Sequence, residues 1–213
     1  MIRTFLFDMG NVLVHFCHQR MCRQIAALAD TSEEIVRDLL MRGSLQWDFE
    51  RGLLSEEEFF AELRGRLQFA PQITLGDFVR AGSDIFTLNS SLVPVLDELR
   101  GMGCRLVLLS NTSVSHFEFV RNEYDILTRF DDFVLSYEVG AMKPERRIFE
   151  VAGMKIGCTP GECFYTDDIA AYVEAGRSYG FQAEQFTTTE SLVRQLARCG
   201  ICLESASAGQ SIV

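Results

Sequence analysis

The chain has 213 residues and a mass of 24.1 kDa, enough to bury one sizeable core with or without a smaller insert. Apolar residues make up 47% and charged residues 23%, which excludes a disordered chain. The formal net charge of -10 and pI near 4.8 argue against a nucleic-acid partner, because phosphate backbones are met by clustered Lys and Arg.

No apolar run reaches the roughly 18 uncharged residues of a membrane span. Asp8 interrupts the N-terminal run, which also lacks the small-residue cleavage site of a signal peptide. Seven cysteines, odd in number and scattered, suit the reduced thiols of a cytoplasmic protein better than a disulfide framework. Cys199 and Cys202 have no second pair or nearby histidine to complete a zinc site.

In chain order, "IRTFLFD" is continuously apolar and predicts a strand buried on both faces, as in a parallel sheet. From about Cys17 to Phe86 apolar residues recur at helical spacing, with Ser32 and Ser55 as N-caps followed by acids, and no convincing strand. Thereafter helix and strand alternate. Helices are predicted near Ser91–Met102, Ser115–Tyr124, Pro144–Met154, Ala170–Tyr179 and Thr189–Arg198; the strands are "CRLVLLS", "FDDFVLS", "CFYTD" and "FQAEQF". This alternation predicts an α/β fold, with a parallel sheet between two helical layers. The expected core is residues 1–14 and 87–203, the helical insert 15–86, and 204–213 a flexible tail.

Ligands of an open parallel sheet bind beyond the carboxyl ends of its strands. Those ends carry Asp8, then Ser110, Asn111 and Thr112, then Lys143, then Asp167 and Asp168. No strand opens a glycine-rich phosphate loop. Acids gathered with one lysine suit a hard cation acting on a phosphate: magnesium takes oxygen ligands and is held by one or two carboxylates plus the substrate. Adjacent Asp167 and Asp168 repel each other unless a cation sits between them.

Four ordered motifs, "FLFDMGNVLV", "LVLLSNT", "GAMKPERRIFE" and "CFYTDDIAAYVEAG", cover nearly the whole chain and resemble those of the haloacid dehalogenase superfamily. The resemblance implies a Rossmann-like three-layer core with a type C1 helical cap inserted after the first strand. It also implies that Asp8 is a nucleophile forming an aspartyl phosphate, that Ser110 binds the phosphoryl group, and that Lys143 neutralises both. Asp168 with Asp167, Asp8 and the Gly10 carbonyl would then hold Mg²⁺. The implied substrate is a small phosphorylated molecule, with no membrane partner and a monomer or homodimer as the assembly. Gly10, Asn11, Asn111 and Thr112 are the expected substrate contacts, joined by Trp47 and Arg51 in "QWDFERGLLS", where an indole and flanking polar groups could meet a sugar.

Two positions depart from the family pattern. Phosphatases of this superfamily usually carry a second aspartate two residues after the nucleophile, as general acid and base; here it is Gly10. An acid or amide is also common where Tyr172 stands. A general acid contributes roughly 10²- to 10⁴-fold, so its loss implies either a proton from the cap, with His15 and His18 as candidates, or a substrate with a good leaving group. The "D-x-G-N-V" form is similar to that of a bacterial subgroup acting on alpha-glucose 1-phosphate, so an anomeric sugar phosphate is the favoured substrate. A metal-independent 2-haloacid dehalogenase and a non-catalytic phosphometabolite-binding protein are the alternatives.

Overall fold

The computed structural model describes residues 1–204. Five parallel strands form the main sheet in the order β5-β4-β1-β6-β7: β1 Thr4–Phe7, β4 Arg105–Ser110, β5 Asp132–Leu135, β6 Cys163–Asp167 and β7 Gln182–Gln185. All four residues of β1 are buried. Successive side chains on a strand point to opposite faces, so Phe5 and Phe7 join one apolar cluster with Leu106, Leu108 and Phe164, while Leu6 joins a second with Val107, Leu109 and Tyr165. Continuous apolar strands are thus the sequence form of a sheet covered on both sides.

The covering helices are α6 Val93–Gly101, α7 Val114–Glu123, α8 Ser136–Val139, α9 Arg146–Lys155, α10 Ala170–Tyr179 and α11 Thr189–Arg198. The hydroxyl of Ser113 caps α7, accepting from the His116 N–H. Helix α9 starts later than expected: Glu145 is its N-cap, and Pro144 lies outside it, following a cis peptide bond from Lys143.

Between the first strand and the rest of the core lie α1 His18–Leu28, α2 Glu33–Met41, α3 Leu45–Glu50, α4 Glu56–Arg66 and α5 Leu75–Ser83. Ser32 caps α2, and Ser55 forms a reciprocal capping box with Glu58. The many phenylalanines of this part pack face to face: the rings of Phe49 and Phe59 lie 4.3 Å apart between centroids, and those of Phe60 and Phe78 4.8 Å.

A short antiparallel ribbon joins the two parts, β2 Val14–Phe16 with β3 Phe86–Leu88. It corrects the reading of residues 17–86 as strand-free at their end, since β3 begins at Phe86. Three residues are too few to show a period.

Polar contacts fasten the cap to the core, among them a contact of the His116 ring with the Gly82 carbonyl at 3.2 Å. Arg51 pairs with Glu145, Glu56 accepts a hydrogen bond from Ser115, and the Glu50 carbonyl accepts one from Ser136 at 2.6 Å. Gly52 makes this seam possible: its φ is +71°, and a Cβ would stand 2.1 Å from the Tyr137 carbonyl oxygen. Among the described residues no helix is long and apolar enough to cross a membrane. All seven cysteines, Cys199 and Cys202 included, are free thiols. The predicted tail lies outside the described residues beyond Glu204.

Candidate active site

Strand β1 lies between β4 and β6, with Phe7 opposite Leu108 on one side and Thr166 on the other. Chain connections leave the sheet in opposite directions from this point, opening a crevice at the carboxyl ends. Asp8 is the next residue, its N–H donating to the Thr166 carbonyl at 3.1 Å. Ser110 ends β4 and Asp167 ends β6, so the sheet itself gathers the polar residues that the sequence spreads over 160 positions.

Lys143 stands at the centre, 2% exposed. Its Nζ is 2.8 Å from Asp8 Oδ1 and 2.6 Å from Asp167 Oδ2, and it donates to the Leu109 carbonyl at 3.1 Å. Burial alone would lower the lysine, but Asp167 and Asp8 outweigh it and hold the ammonium above its usual range. Burial raises the Asp8 carboxyl to about 7, the lysine opposing the rise and Asp167 adding to it. A carboxylate that is costly to ionise yet held beside a cation is a charge kept for use.

One oxygen each from Asp8, Asp167 and Asp168 lie within 4.8 Å of one another, a donor set of the hard oxygen type that suits magnesium. The three are not equivalent. Asp167 is fully buried; its Oδ2 accepts from Lys143 and, at 2.6 Å, from the Tyr165 hydroxyl, while Oδ1 accepts from the Ile169 N–H at 2.9 Å. Asp168 is only partly buried and accepts a single side-chain hydrogen bond, from Asn11 Nδ2 to Oδ2 at 3.0 Å. The Gly10 carbonyl accepts no hydrogen bond among the described residues. Asp8, Asp168 and this carbonyl therefore have capacity left for a cation, whereas Asp167 is committed to Lys143.

The other expected contacts divide in the same way. Asn111 grips the backbone of Lys143 twice, donating to its carbonyl at 3.0 Å and accepting from its N–H at 2.8 Å. Asn11 takes the left-handed conformation, φ 53°, that brings its amide to Asp168. Ser110 is buried at the end of β4, with one long hydrogen bond of 3.5 Å to the Asn111 carbonyl. Tyr172, standing where an acid or amide is common, sits with its ring 5.2 Å from Lys143 Nζ and its hydroxyl 3.5 Å from Asn111 Nδ2. Arg51 is taken up by Glu145, and Trp47 is half exposed on the cap.

Beside Gly10 is a cavity of about 60 Å³ lined by Phe16, His18, Glu50 and Phe86 from the cap and ribbon, and by Asn111 and Thr112 from the core. Gly10 has no left-handed backbone; what it needs is space, since a Cβ would lie 2.8 Å from Phe16 Cε1. The Phe16 ring thus occupies the volume an aspartate side chain would enter. His18 lines this cavity, while His15 is an exposed residue of the ribbon. Sequence reading did not reach Tyr165 or Phe16, and reached Glu50 only as one of the polar groups that flank Trp47. Tyr165 has a signal, a polar aromatic within a buried strand two residues before the acid; the other two depend on contacts across the cap seam.

A family model described as haloacid dehalogenase-like hydrolase matches residues 2–180. The chain is 25% identical over 198 residues, 92% of its length, to a drimenol cyclase of Aspergillus calidoustus, but spans only 36% of that protein. It is 25% identical over 196 residues to the D-ribitol-5-phosphate phosphatase of Bacteroides thetaiotaomicron, covering 87% of this chain and 92% of that one. A solved HAD family enzyme of the same bacterium, in complex with magnesium and inorganic phosphate, superposes with a TM-score of 0.77 at 22% identity, covering 89% of this chain and 96% of that one. With four motifs on one sheet edge and a family model over most of its length, the chain belongs to the haloacid dehalogenase-like hydrolases.

Proposed function

We propose that the chain is a magnesium-dependent phosphatase of small phosphorylated metabolites, sugar phosphates foremost, working through an aspartyl phosphate on Asp8. The observation that carries this reading is the Asp8–Lys143–Asp167 array with Asp168 alongside. The names of the relatives, a ribitol phosphate phosphatase among them, support it. Free thiols accord with a cytoplasmic location.

Magnesium would be held by Asp8, Asp168 and the Gly10 carbonyl, and when bound supplies positive charge against the phosphoryl oxygens. The chain's own residues do the rest. Asp8 attacks phosphorus and Lys143 neutralises the charge on nucleophile and phosphoryl group. Ser110 donates to a phosphoryl oxygen. Asp167 and Tyr165 fix the lysine from behind, and Asn111 fixes its backbone, so Asp167 is read as an anchor rather than as a metal ligand. Thr112 holds the seam through Ser136. Arg51 and Trp47, expected to meet substrate, are read as seam and surface residues of the cap.

With Gly10 the loop after β1 carries no second acid beyond Asp8, so esters with the better leaving groups are favoured, as the "D-x-G-N-V" form suggests. Phosphate release from glucose 1-phosphate, glucose 6-phosphate and an aryl phosphate tests this. We expect release from all three, the 1-phosphate a few-fold faster than the 6-phosphate, and loss of activity in EDTA. Equal or reversed sugar rates would remove the anomeric preference. EDTA-insensitive chloride release from 2-chloropropionate would point to a dehalogenase, and phosphate binding without turnover to a binding protein.

A further inference from the structure

With glycine at position 10 the loop after β1 has no second acid to protonate the departing oxygen, and the cap presents a carboxyl to the cavity beside it. Glu50 is the last residue of α3. Gln46, one helical turn earlier, donates from Nε2 to Glu50 Oε1 at 2.8 Å. The Glu50 carbonyl accepts from the Ser136 hydroxyl at 2.6 Å, and that hydroxyl accepts from the Thr112 N–H at 2.9 Å. A cap residue is thereby tied to the loop that follows β4, the one carrying Asn111 and Thr112.

Glu50 Oε2 has no hydrogen-bond partner among the described residues. The residue lines the 60 Å³ cavity that also meets Gly10, Asn111 and Thr112. Burial raises its carboxyl above the ordinary range, Gln46 opposing the rise; the shift is toward the protonated form that a general acid needs. The histidines of the cavity are tuned the other way. Burial lowers both, His116 to about 4, with its Nε2 3.2 Å from the Gly82 carbonyl. At position 10 itself a side chain would meet the Phe16 ring, 2.8 Å from its Cβ.

We propose that Glu50, entering from the cap, is the general acid and base that the loop after β1 lacks. This rests on the phosphatase reading. In the first step an Asp8 oxygen bonds to phosphorus, the ester P–O bond breaks, and the Glu50 proton goes to the leaving oxygen, giving an alcohol, the aspartyl phosphate and a Glu50 carboxylate. In the second, water bonds to phosphorus and gives its proton to Glu50, while the bond from phosphorus to the Asp8 oxygen breaks. Inorganic phosphate leaves, and both side chains return to their starting forms. Because the acid belongs to the cap, catalysis is complete only when the cap is seated on the core.

The test compares kcat/KM of native protein and Glu50→Gln on p-nitrophenyl phosphate and glucose 6-phosphate, since kcat/KM reports the step in which the leaving group departs. A nitrophenolate needs no proton; a primary alkoxide does. We expect Glu50→Gln to lose roughly 10²- to 10⁴-fold on glucose 6-phosphate and only a few-fold on the aryl ester, whose retained kcat/KM certifies the fold. Slowed return of water to the aspartyl phosphate adds a burst of nitrophenol that native protein lacks. Equal losses on both esters, no loss on either, or the same split produced by His18→Gln instead would overturn the assignment. Asp8→Asn, inactive on both esters, checks the underlying reading separately; a native chain releasing phosphate from neither ester would overturn both.

Discussion

Asp8→Asn lowers phosphate release by roughly 10³-fold or more on every ester, aryl phosphates included, while the protein stays folded. The amide cannot form the acyl phosphate, and a good leaving group does not help when nothing attacks. Folding survives because Lys143 keeps Asp167 at 2.6 Å and the Leu109 carbonyl at 3.1 Å when Asp8 no longer carries charge. Steady-state kinetics with a circular dichroism melt checks both halves: activity gone, thermal midpoint within a few degrees. Substantial residual turnover would mean that the nucleophile lies elsewhere.

Lys143→Met acts on both stability and chemistry. The lysine is one of the largest fully buried side chains among the described residues, and it bridges Asp8 and Asp167. Removing it leaves two buried carboxylates without their cation. Breaking a buried pair in this way costs about 3 to 5 kcal/mol, which for a chain of this size lowers the thermal midpoint by roughly 6 to 20 °C. Activity falls together with stability, since nothing then offsets the charge on the nucleophile or on the incoming phosphate. A melting curve within a few degrees of native would show that the lysine does not carry the balance of charge in the crevice.

Much of this site is legible in the sequence because a parallel sheet turns chain order into spatial order. An acid after "FLF", a serine after "LVLL" and an acid pair after "CFY" each end a buried strand, and strands that share a sheet bring their ends to one edge. The fold class and the cap's position between the first strand and the rest follow from the same alternation. The division of labour between Asp167 and Asp168 does not. It depends on Tyr165 and Lys143 meeting one oxygen of Asp167, while Asp168, one residue beyond the strand, stays partly open. Arg51 suggests a substrate contact until Glu145, 94 residues away, is seen to take its guanidinium. Glu50 is marked in the sequence only as a polar neighbour of Trp47, and its neighbours in space come from distant segments. Gly10 is the reverse case. Its identity is conspicuous in the sequence, but its reason is the Phe16 ring that fills the space beside it.

The central claim is that Asp8 carries the phosphoryl group during turnover. Rapid acid quench of native protein turning over an aryl phosphate, followed by peptide mass analysis, tests it most directly. A phosphorylated peptide containing Asp8 is expected, one that appears with substrate, accumulates further in Glu50→Gln and is absent from Asp8→Asn. Steady release of phosphate with no adduct on Asp8 in either the native chain or Glu50→Gln would contradict it, and would assign the crevice to direct attack by water.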